Sequence, residues 1–322
     1  MAGHVFVTGA NGRIGQHLIR RLIEDGHTVV GTARTDKKAA LVRALGAHCL
    51  VGELSKPAMI DEGLDGARVI YHLAGGIRGS GKATPDRINR QATLYLIDRL
   101  DRCNDLEALV FTSSCAVHGD RSGLWLDEEM PAHPHTRYGT AKLACEKALL
   151  EAAHTHKLPV RIVRLAAVYG PGFPFMLEDW IRSGGAKLPG EGRNYVPTIH
   201  IEDAVEGLIR CADPSAQHAL YNLADVEPVT LAEFYGAVAK ATGGKEPTFW
   251  STWVPSYVQF RLAQLNERIQ SQLAIKPRFT PDNIRLFTAS SRLQVERMER
   301  ERGMIWKYPR AIEGVIESIS GH

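Results

Sequence analysis

Residues 7–15 read VTGANGRIG and place Gly9, Gly12 and Gly15 three residues apart. A run of β-branched and apolar residues precedes this stretch, and a segment with the apolar spacing of a helix follows it. Glycines between a strand and a helix permit a tight turn and let the backbone approach a pyrophosphate closely. The free N–H groups of the helix start then bind the phosphates. We therefore predict a dinucleotide-binding turn; a plain strand-to-helix turn is the alternative.

Strand-like runs alternate with longer segments of helical period as far as residue 170. The six runs are HVFVTG (4–9), HTVVGTAR (27–34), HCLVGEL (48–54), RVIYHLAG (68–75), ALVFTSS (108–114) and PVRIVRLAAVYG (159–170). Apolar runs of this length suit strands that a parallel sheet buries on both faces. The alternation predicts an α/β fold, with residues 1–170 forming a Rossmann-type, doubly wound parallel sheet.

Beyond Gly170 the alternation stops. Proline and glycine indicate loops, and we expect helices near residues 202–212, 230–242 and 255–272. Thr230 and Glu233 have the spacing of a capping box, which supports the second of these helix starts. Residues 171–322 are predicted to form mainly a small C-terminal substrate-binding lobe, with some segments that return to the Rossmann core.

The bulk composition argues against several classes of protein. The 322 residues include 39 basic and 36 acidic side chains, a balance that favours neither nucleic acid nor an anionic membrane as partner. Five cysteines without a CxxC pair indicate reduced thiols and no metal site. The sequence shows no secretory leader and no apolar run long enough to cross a membrane. We expect a cytoplasmic protein without a transmembrane segment that acts on a small molecule.

The end of the second predicted strand bears on the type of dinucleotide. In NAD-binding turns an acid at this point holds the ribose 2′-hydroxyl. Here the strand ends TARTDKK (32–38), which places Arg34 at the tip and has no acid before Asp36. A guanidinium pairs with a 2′-phosphate and stacks on adenine. This favours NADP as cofactor; a solvated charged turn is the alternative, and Asp36 and Arg13 keep NAD possible.

Residues 138–142, YGTAK, start a segment rich in Ala, Leu, Lys and Glu that is predicted to be helical, so Tyr138 and Lys142 share one face. An ammonium at about 4 Å in an effective dielectric of about 20 contributes about 4 kcal/mol, which is about three pKa units before desolvation. We expect a tyrosine able to exchange protons near neutrality; an ordinary helix start is the alternative. Ser113 and Ser114 end the fifth predicted strand, where an α/β sheet presents its ligand crevice.

Six motifs in order resemble those of the extended short-chain dehydrogenases/reductases, the NAD(P)-dependent epimerase/dehydratase superfamily, over nearly the whole chain. TGANGRIG resembles TGxxGxxG, HLAG the fourth-strand motif, SSCAVHG the motif SSxxVYG, YGTAK the motif YxxxK, RLAAVYGPG the motif RPxxVYGPG, and IHIEDAV the motif HVDDV. The departures are His118, where the family usually has tyrosine, and Glu53, where aspartate is usual.

The resemblance implies an enzyme whose catalytic residues are Ser114, Tyr138 and Lys142. Ser114 would bond the substrate oxygen, Tyr138 would pass the proton, and Lys142 would hold the nicotinamide ribose. Besides Tyr138 and Lys142, the implied cofactor contacts are Gly9, Asn11, Gly12, Arg13, Ile14, Gly15, Arg34, Glu53, Leu54, Leu73, Ala74, Gly75, Leu165 and Val168. The implied substrate contacts are Gly76, Ser114, Cys115, Ala167 and Phe173. The family's habit of pairing through the YxxxK helix makes a homodimer the expected assembly.

Two positions bear on the substrate. Members that act on nucleotide sugars commonly carry asparagine and arginine where this chain has Ala167 and Val196. A diphosphate bound without those donors loses charge-assisted hydrogen bonds. The C-terminal segment resembles that of hydroxysteroid dehydrogenase and dihydroflavonol reductase-like proteins, and its RGMIWKYP is a degraded form of a fold-closing LGYxP. His72 and His200 lie in apolar contexts and are expected to be structural.

These observations predict an NADP-dependent oxidoreductase that acts on a carbonyl or secondary alcohol of a small, largely apolar substrate. The aromatic residues of the lobe either line its pocket or form core; they are Phe173, Phe175, Trp180, Trp250, Trp253 and Tyr257. Two alternatives are an NAD-dependent nucleotide-sugar epimerase or dehydratase and a dinucleotide-sensing regulator. The intact Ser, Tyr and Lys set argues against the regulator.

Overall fold

A seven-stranded parallel sheet forms the centre of the protein, with strand order β12-β7-β5-β4-β1-β2-β3. The computed structural model describes residues 3–54, 57–75, 85–100, 103, 105–121, 123–173, 181–184, 187–249, 258, 261 and 281–320. The strands of the central sheet are β1 (His4–Thr8), β2 (Val29–Ala33), β3 (His48–Val51), β4 (Ala67–His72), β5 (Ala108–Ser114), β7 (Val160–Leu165) and β12 (Leu220–Leu223).

Four two-stranded sheets and ten helices complete the described part of the chain. The short sheets pair β6 (Trp125–Leu126) with β15 (Arg292–Leu293), β8 (Ala167–Tyr169) with β11 (Thr198–His200), β9 (Lys187–Leu188) with β14 (Thr248–Phe249), and β10 (Tyr195–Val196) with β13 (Val229–Thr230). The helices are α1 (Arg13–Glu24), α2 (Asp36–Arg43), α3 (Pro57–Leu64), α4 (Pro85–Ile97), α5 (Arg137–His156), α6 (Ile201–Cys211), α7 (Leu231–Thr242), α8 (Pro281–Thr288), α9 (Glu296–Arg302) and α10 (Ala311–Ser320). A 3₁₀ turn covers Cys115–Val117.

The sheet is doubly wound, as predicted. Alternate residues of one strand point to opposite faces, so Val5 packs in one apolar cluster with α1, α2 and α6, while Phe6 packs in the other with α3, α4 and α5. The strand order reverses between β1 and β4. In open parallel sheets this switch point, outside the carboxyl ends of the strands, is where ligands bind.

Each of the six predicted runs contains a strand of the central sheet, but the run 159–170 divides into β7 and β8, of which β8 pairs with β11 instead, and the seventh strand of the sheet was missed. β12 is a four-residue segment, LYNL, and its register places Asn222 opposite Arg164 of β7. Neither length nor polarity distinguishes this segment from a loop, because pairing with β7 rather than local pattern makes it a strand. β12 and α6 come from beyond residue 170 and join the central layers.

The predicted helices near 202–212 and 230–242 are confirmed as α6 and α7, and the capping box of Thr230 and Glu233 is present. The predicted helix at 255–272 lies outside the described residues except for two positions. A third apolar cluster joins α7, α8 and α10. No helix in the described ranges is long and apolar enough to cross a membrane.

The turn that follows α9 closes the fold through Asp203 of α6. The Asp203 carboxylate accepts hydrogen bonds from Lys307 N over 2.8 Å and from Tyr308 N over 2.9 Å. Trp306 Nε1 donates to Ala224 O at the end of β12. The RGMIWKYP segment is therefore tied to α6 and to the end of β12, and two of the three hydrogen bonds use its backbone N–H groups.

Candidate active site

The glycine turn between β1 and α1 has a geometry that side chains would block. Gly9 has a φ of 70°, and a Cβ there would lie 2.9 Å from Ala74 N. A Cβ on Gly15 would lie 2.6 Å from Gly9 O. Gly12 caps α1 without a side-chain hydrogen bond, so the first N–H groups of the helix face the turn unblocked by a capping side chain. This cradle fits the pyrophosphate of a dinucleotide, which binds backbone N–H groups at a helix start.

A buried chain of hydrogen bonds fixes β1 and β4 where they diverge. Ala74 N donates to Thr8 Oγ1 over 3.2 Å, and that hydroxyl lies 2.7 Å from His72 Nδ1. His72 Nε2 lies 3.0 Å from Thr93 Oγ1 of α4. Burial, together with the nearby Lys142 ammonium, lowers the pKa of His72 to about 3, so the imidazole is neutral. His72 is structural, as predicted, whereas the sequence analysis missed the roles of Thr8 and Thr93.

The predicted adenosine end of the crevice is open. Arg34 follows β2 directly and is exposed, and Gly52 N donates to Ala33 O to hold the ends of β2 and β3 together. Glu53 is exposed, while Leu54 packs on the apolar cluster under α3. Arg34 therefore projects a cation at the point where a ribose 2′-substituent is expected.

Phe173 lies against α1. Its ring centroid is 5.9 Å from the Arg13 guanidinium carbon and 6.5 Å from the His17 ring centroid. His17 Nε2 donates to Pro171 O over 3.1 Å, which ties this turn to the first helix. Phe173 is thus on the cofactor side of the crevice, and its contact with substrate stays a prediction.

The remaining predicted substrate contacts are less constrained. Ala167 is exposed and Cys115 is partly buried, with a thiol pKa that burial raises to about 11. The predicted residues Gly76, Phe175, Trp180, Trp250, Trp253 and Tyr257 lie outside the described residues. In the ranges that the structure describes, no cluster of three His, Cys, Asp or Glu side chains could hold a metal.

Ser113 and Ser114 point in opposite directions at the end of β5. Ser114 Oγ accepts from Ala116 N over 3.2 Å and lies close enough to the Tyr138 hydroxyl to lower the pKa of that phenol. Ser113 Oγ donates instead to the buried Glu146 carboxylate. The alternation of side chains along a strand explains the difference. The structure therefore brings Ser114, and not Ser113, to Tyr138.

Helix α5 approaches β5 closely because of the glycine in YGTAK. Thr136 caps the helix by accepting from Gly139 N over 3.0 Å. A Cβ on Gly139 would lie 2.4 Å from Ala116 O in the turn that follows Ser114. Only glycine allows this approach, which holds Tyr138 beside the end of β5.

Lys142 does not act on Tyr138 as the sequence analysis expected. Its ammonium donates to Thr112 O over 2.7 Å and lies 6.0 Å from the Tyr138 ring centroid. Burial raises the pKa of Tyr138 to about 12, and the hydrogen bond with Ser114 offsets this only in part. The predicted lowering of the tyrosine pKa was wrong, because burial of the phenol dominates and the Lys142 ammonium is hydrogen-bonded to Thr112 O instead. Burial also lowers the pKa of Lys142 to about 8.

A buried ion pair lies one turn beyond Lys142. Arg164 of β7 donates to both carboxylate oxygens of Glu146, over 2.9 and 3.2 Å. The sequence analysis missed this pair. Glu146 follows Lys142 by four residues, the spacing that places both on one helix face, and an arginine inside the apolar strand VRIVRL was a further signal.

The other histidines near the site are held in the core. His118, at the family's usual tyrosine position, is buried with Nε2 3.4 Å from Asn222 Oδ1, and burial lowers its pKa to about 4. His200 Nε2 lies 3.1 Å from Ser318 Oγ, and burial lowers the pKa of His200 to about 4. His200 is structural, as predicted.

Comparison with known proteins identifies the class. Residues 5–224 match the NAD dependent epimerase/dehydratase family, and the chain belongs to this family. It is an enzyme of the extended short-chain dehydrogenase/reductase type, as the motifs predicted, and an oxidoreductase.

Its relatives differ in chemistry. The 4-hydroxy-2-methyl-3-oxo-4-farnesyl-3,4-dihydroquinoline-1-oxide ketoreductase of Stigmatella aurantiaca is 29% identical over 248 residues, covering 74% of this chain and 73% of the relative. A probable UDP-glucuronate 4-epimerase of Rhizobium meliloti is 28% identical over 280 residues, covering 74% and 82%. Sterol-4-alpha-carboxylate 3-dehydrogenase, decarboxylating, of Mus musculus is 25% identical over 306 residues, covering 87% and 80%.

Solved structures share the fold. The crystal structure of gox2253 superposes with a TM-score of 0.77 at 22% identity, covering 98% of this chain and 97% of that one. MoeE5 in complex with UDP-glucose and NAD superposes with a TM-score of 0.76 at 23% identity, with the same coverage. At these identities the likeness establishes the Rossmann-type architecture and no substrate.

Ser114→Ala should lower kcat by about 10²–10³-fold, because the variant loses the hydroxyl that we expect to bond the reacting oxygen. The matched control is Ser113→Ala, which should keep kcat near the wild-type value and lower the free energy of unfolding by about 1–3 kcal/mol, since the Glu146 carboxylate loses a partner. Steady-state kinetics and urea unfolding measure the two effects. A larger loss of kcat in Ser113→Ala than in Ser114→Ala would show that Ser113, and not Ser114, bonds the reacting oxygen.

Proposed function

We propose that the protein is an NADP-dependent reductase of a carbonyl group on a small, largely apolar substrate. The observation that carries this proposal is the approach of the Tyr138 side chain to Ser114 at the carboxyl end of β5, which the close contact of Gly139 with Ala116 O enforces. The pair lies on the side of the sheet where the glycine turn opens. A nicotinamide cofactor, when bound beside this pair, would supply the hydride for the substrate carbon.

The two hydroxyls act on the substrate oxygen. Ser114 Oγ donates a hydrogen bond to that oxygen, and the Tyr138 hydroxyl transfers its proton to it as the oxygen becomes an alcohol. A tyrosine pKa of about 12 keeps the phenol protonated at neutral pH, so Tyr138 starts the cycle as an acid. This protonation state supports reduction as the working direction. The Lys142 ammonium, which is buried beside β5, would hold the ribose of the nicotinamide, as the family resemblance implies.

The preference for NADP rests on Arg34. Its guanidinium is exposed at the end of β2, with Lys37 also exposed three residues on. A 2′-phosphate gains a charge-assisted, bidentate partner there, whereas a 2′-hydroxyl gains only a neutral one. The solved structure of MoeE5 contains NAD together with UDP-glucose, so NAD is the alternative cofactor.

Two features support an apolar substrate. Ala167 is exposed at the crevice without a polar group, and Val196 in β10 is a second position without a donor. Three relatives carry the names of enzymes for largely apolar substrates. They are a ketoreductase of a farnesylated quinoline oxide, a 2-alkyl-3-oxoalkanoate reductase and a sterol dehydrogenase. The second candidate is a nucleotide-sugar epimerase, which the likeness to UDP-sugar enzymes favours.

We also propose a homodimer that pairs through α4 and α5. Leu94 of α4 is 42% exposed and Leu150 of α5 is 37% exposed. Large apolar side chains on the outer faces of two neighbouring helices suit an interface between copies of the chain.

Arg34→Ala should weaken NADP binding by about 1.5–3 kcal/mol and change NAD binding little, because only the 2′-phosphate loses a charged partner. Dissociation constants from tryptophan or nicotinamide fluorescence measure the difference. Arg20→Ala removes an equally exposed arginine from α1 and serves as the control. Equal weakening of both cofactors in Arg34→Ala would contradict the proposed preference.

The substrate class is tested by competition. With NADPH present, planar apolar ketones should be reduced and should raise the melting temperature, while UDP and UDP-glucose at millimolar concentration should do neither. The physical reason is that a diphosphate without donors carries an uncompensated desolvation cost. Stabilisation by UDP, with conversion of a UDP-sugar, would replace the reductase proposal by the epimerase.

A further inference from the structure

Glu146 and Arg164 are buried charges that the proposed reaction does not use. Their side chains are 1% and 6% exposed. Arg164 Nη2 donates to Glu146 Oε2, Arg164 Nε donates to Glu146 Oε1, and Ser113 Oγ donates to the same oxygen. Both carboxylate oxygens are therefore occupied, and the glutamate is held in one position between α5, β5 and β7.

Stability alone does not account for such a pair. Burying two charges costs desolvation free energy that their attraction only roughly offsets, and apolar replacements of similar volume are often neutral or stabilising. The position of this pair is more informative. Glu146 follows Lys142 by one helical turn on the same face of α5, and its charge acts on the lysine ammonium.

Described groups face the Lys142 ammonium from three elements. They are the Thr112 carbonyl and Phe111 ring of β5, His72 of β4, and Tyr138, Cys145 and Glu146 of α5. Burial keeps His72 in its neutral form and raises the pKa values of Tyr138 and Cys145, so those side chains carry no charge at neutral pH. Among these groups the Glu146 carboxylate supplies the full negative charge, and the Arg164 guanidinium of β7, which is paired with it, offsets part of that charge.

The carboxylate opposes the effect of burial on the lysine. Desolvation lowers the pKa of Lys142 to about 8, while the charges of Cys145 and Glu146 act in the opposite direction. Since the cysteine is a neutral thiol at neutral pH, the glutamate is the group that favours the ammonium there. Without it, the lysine would lose its proton closer to neutral pH.

We propose that Glu146 is a positioning residue for Lys142: its charge holds the lysine as an ammonium, and its pair with Arg164 fixes the helical turn that carries the lysine against β5 and β7. This inference rests on the role that the proposed function gives to Lys142. Glu146 itself contacts neither substrate nor cofactor in this account.

The test is an NMR titration of the full-length protein labelled with ¹³Cε-lysine, with the Lys142 signal assigned by its loss in Lys142→Met. In Glu146→Gln the Lys142 midpoint should fall by about one pH unit, a tenfold change in the acid dissociation constant, because the negative charge is lost and the Arg164 charge remains. Ser113→Ala, which keeps both charges, should leave the midpoint close to the wild-type value.

The double variant Glu146→Leu/Arg164→Met removes both charges and leaves no unpaired buried charge, so it provides a second test if Glu146→Gln fails to fold. It separates the effect of the charges from the effect of the packing between α5 and β7. The proposal predicts a Lys142 midpoint below the wild-type value in this variant too, and an alkaline limb of kcat/KM that shifts to lower pH with it. An unchanged midpoint in the double variant would overturn the proposal. The titration needs no substrate, so its failure is distinct from a failure to find ketone reduction.

Discussion

The close contact between α5 and the end of β5 is the constraint on which the candidate site depends. Gly139 lies so near the Ala116 carbonyl that a Cβ would approach it to 2.4 Å. This approach brings Tyr138 close to Ser114 and allows the Lys142 ammonium to donate a hydrogen bond to Thr112 O of β5. It also partly buries the tyrosine and fully buries the lysine, and the loss of solvent raises the pKa of Tyr138 to about 12 and lowers that of Lys142 to about 8.

Backbone geometry organises the cofactor side in a comparable way. The glycine turn excludes side chains at Gly9 and Gly15, and the Thr8 and His72 hydrogen bonds hold β4 beside that turn. Both halves of the site therefore meet at the carboxyl ends of neighbouring parallel strands. A doubly wound sheet places the cofactor turn and the catalytic side chains together at its strand ends. The same architecture can therefore serve relatives named as ketoreductases and as UDP-sugar epimerases.

Local pattern was sufficient to predict much of this arrangement. Apolar runs gave six strands, and glycine spacing gave the turn before α1. What the sequence did not give depends on contacts between distant residues. β12 exists because β7 pairs with it, and Glu146 is buried because Arg164 meets it from another strand. The prediction for the Tyr138 pKa was wrong for a related reason. Helical spacing shows that Lys142 lies on the same helix face, but tertiary packing decides the distance between the two groups and the desolvation of the phenol.

The most direct test of the account is Tyr138→Phe, studied by NADPH binding and by ketone turnover in parallel. For Tyr138→Phe we expect an unchanged dissociation constant for NADPH and a loss of turnover of about 10²–10⁴-fold, because only the proton-donating hydroxyl is removed. The melting temperature should stay close to that of the wild-type protein. Turnover at the wild-type rate in this variant would contradict the central claim that Tyr138 passes the proton to the substrate oxygen.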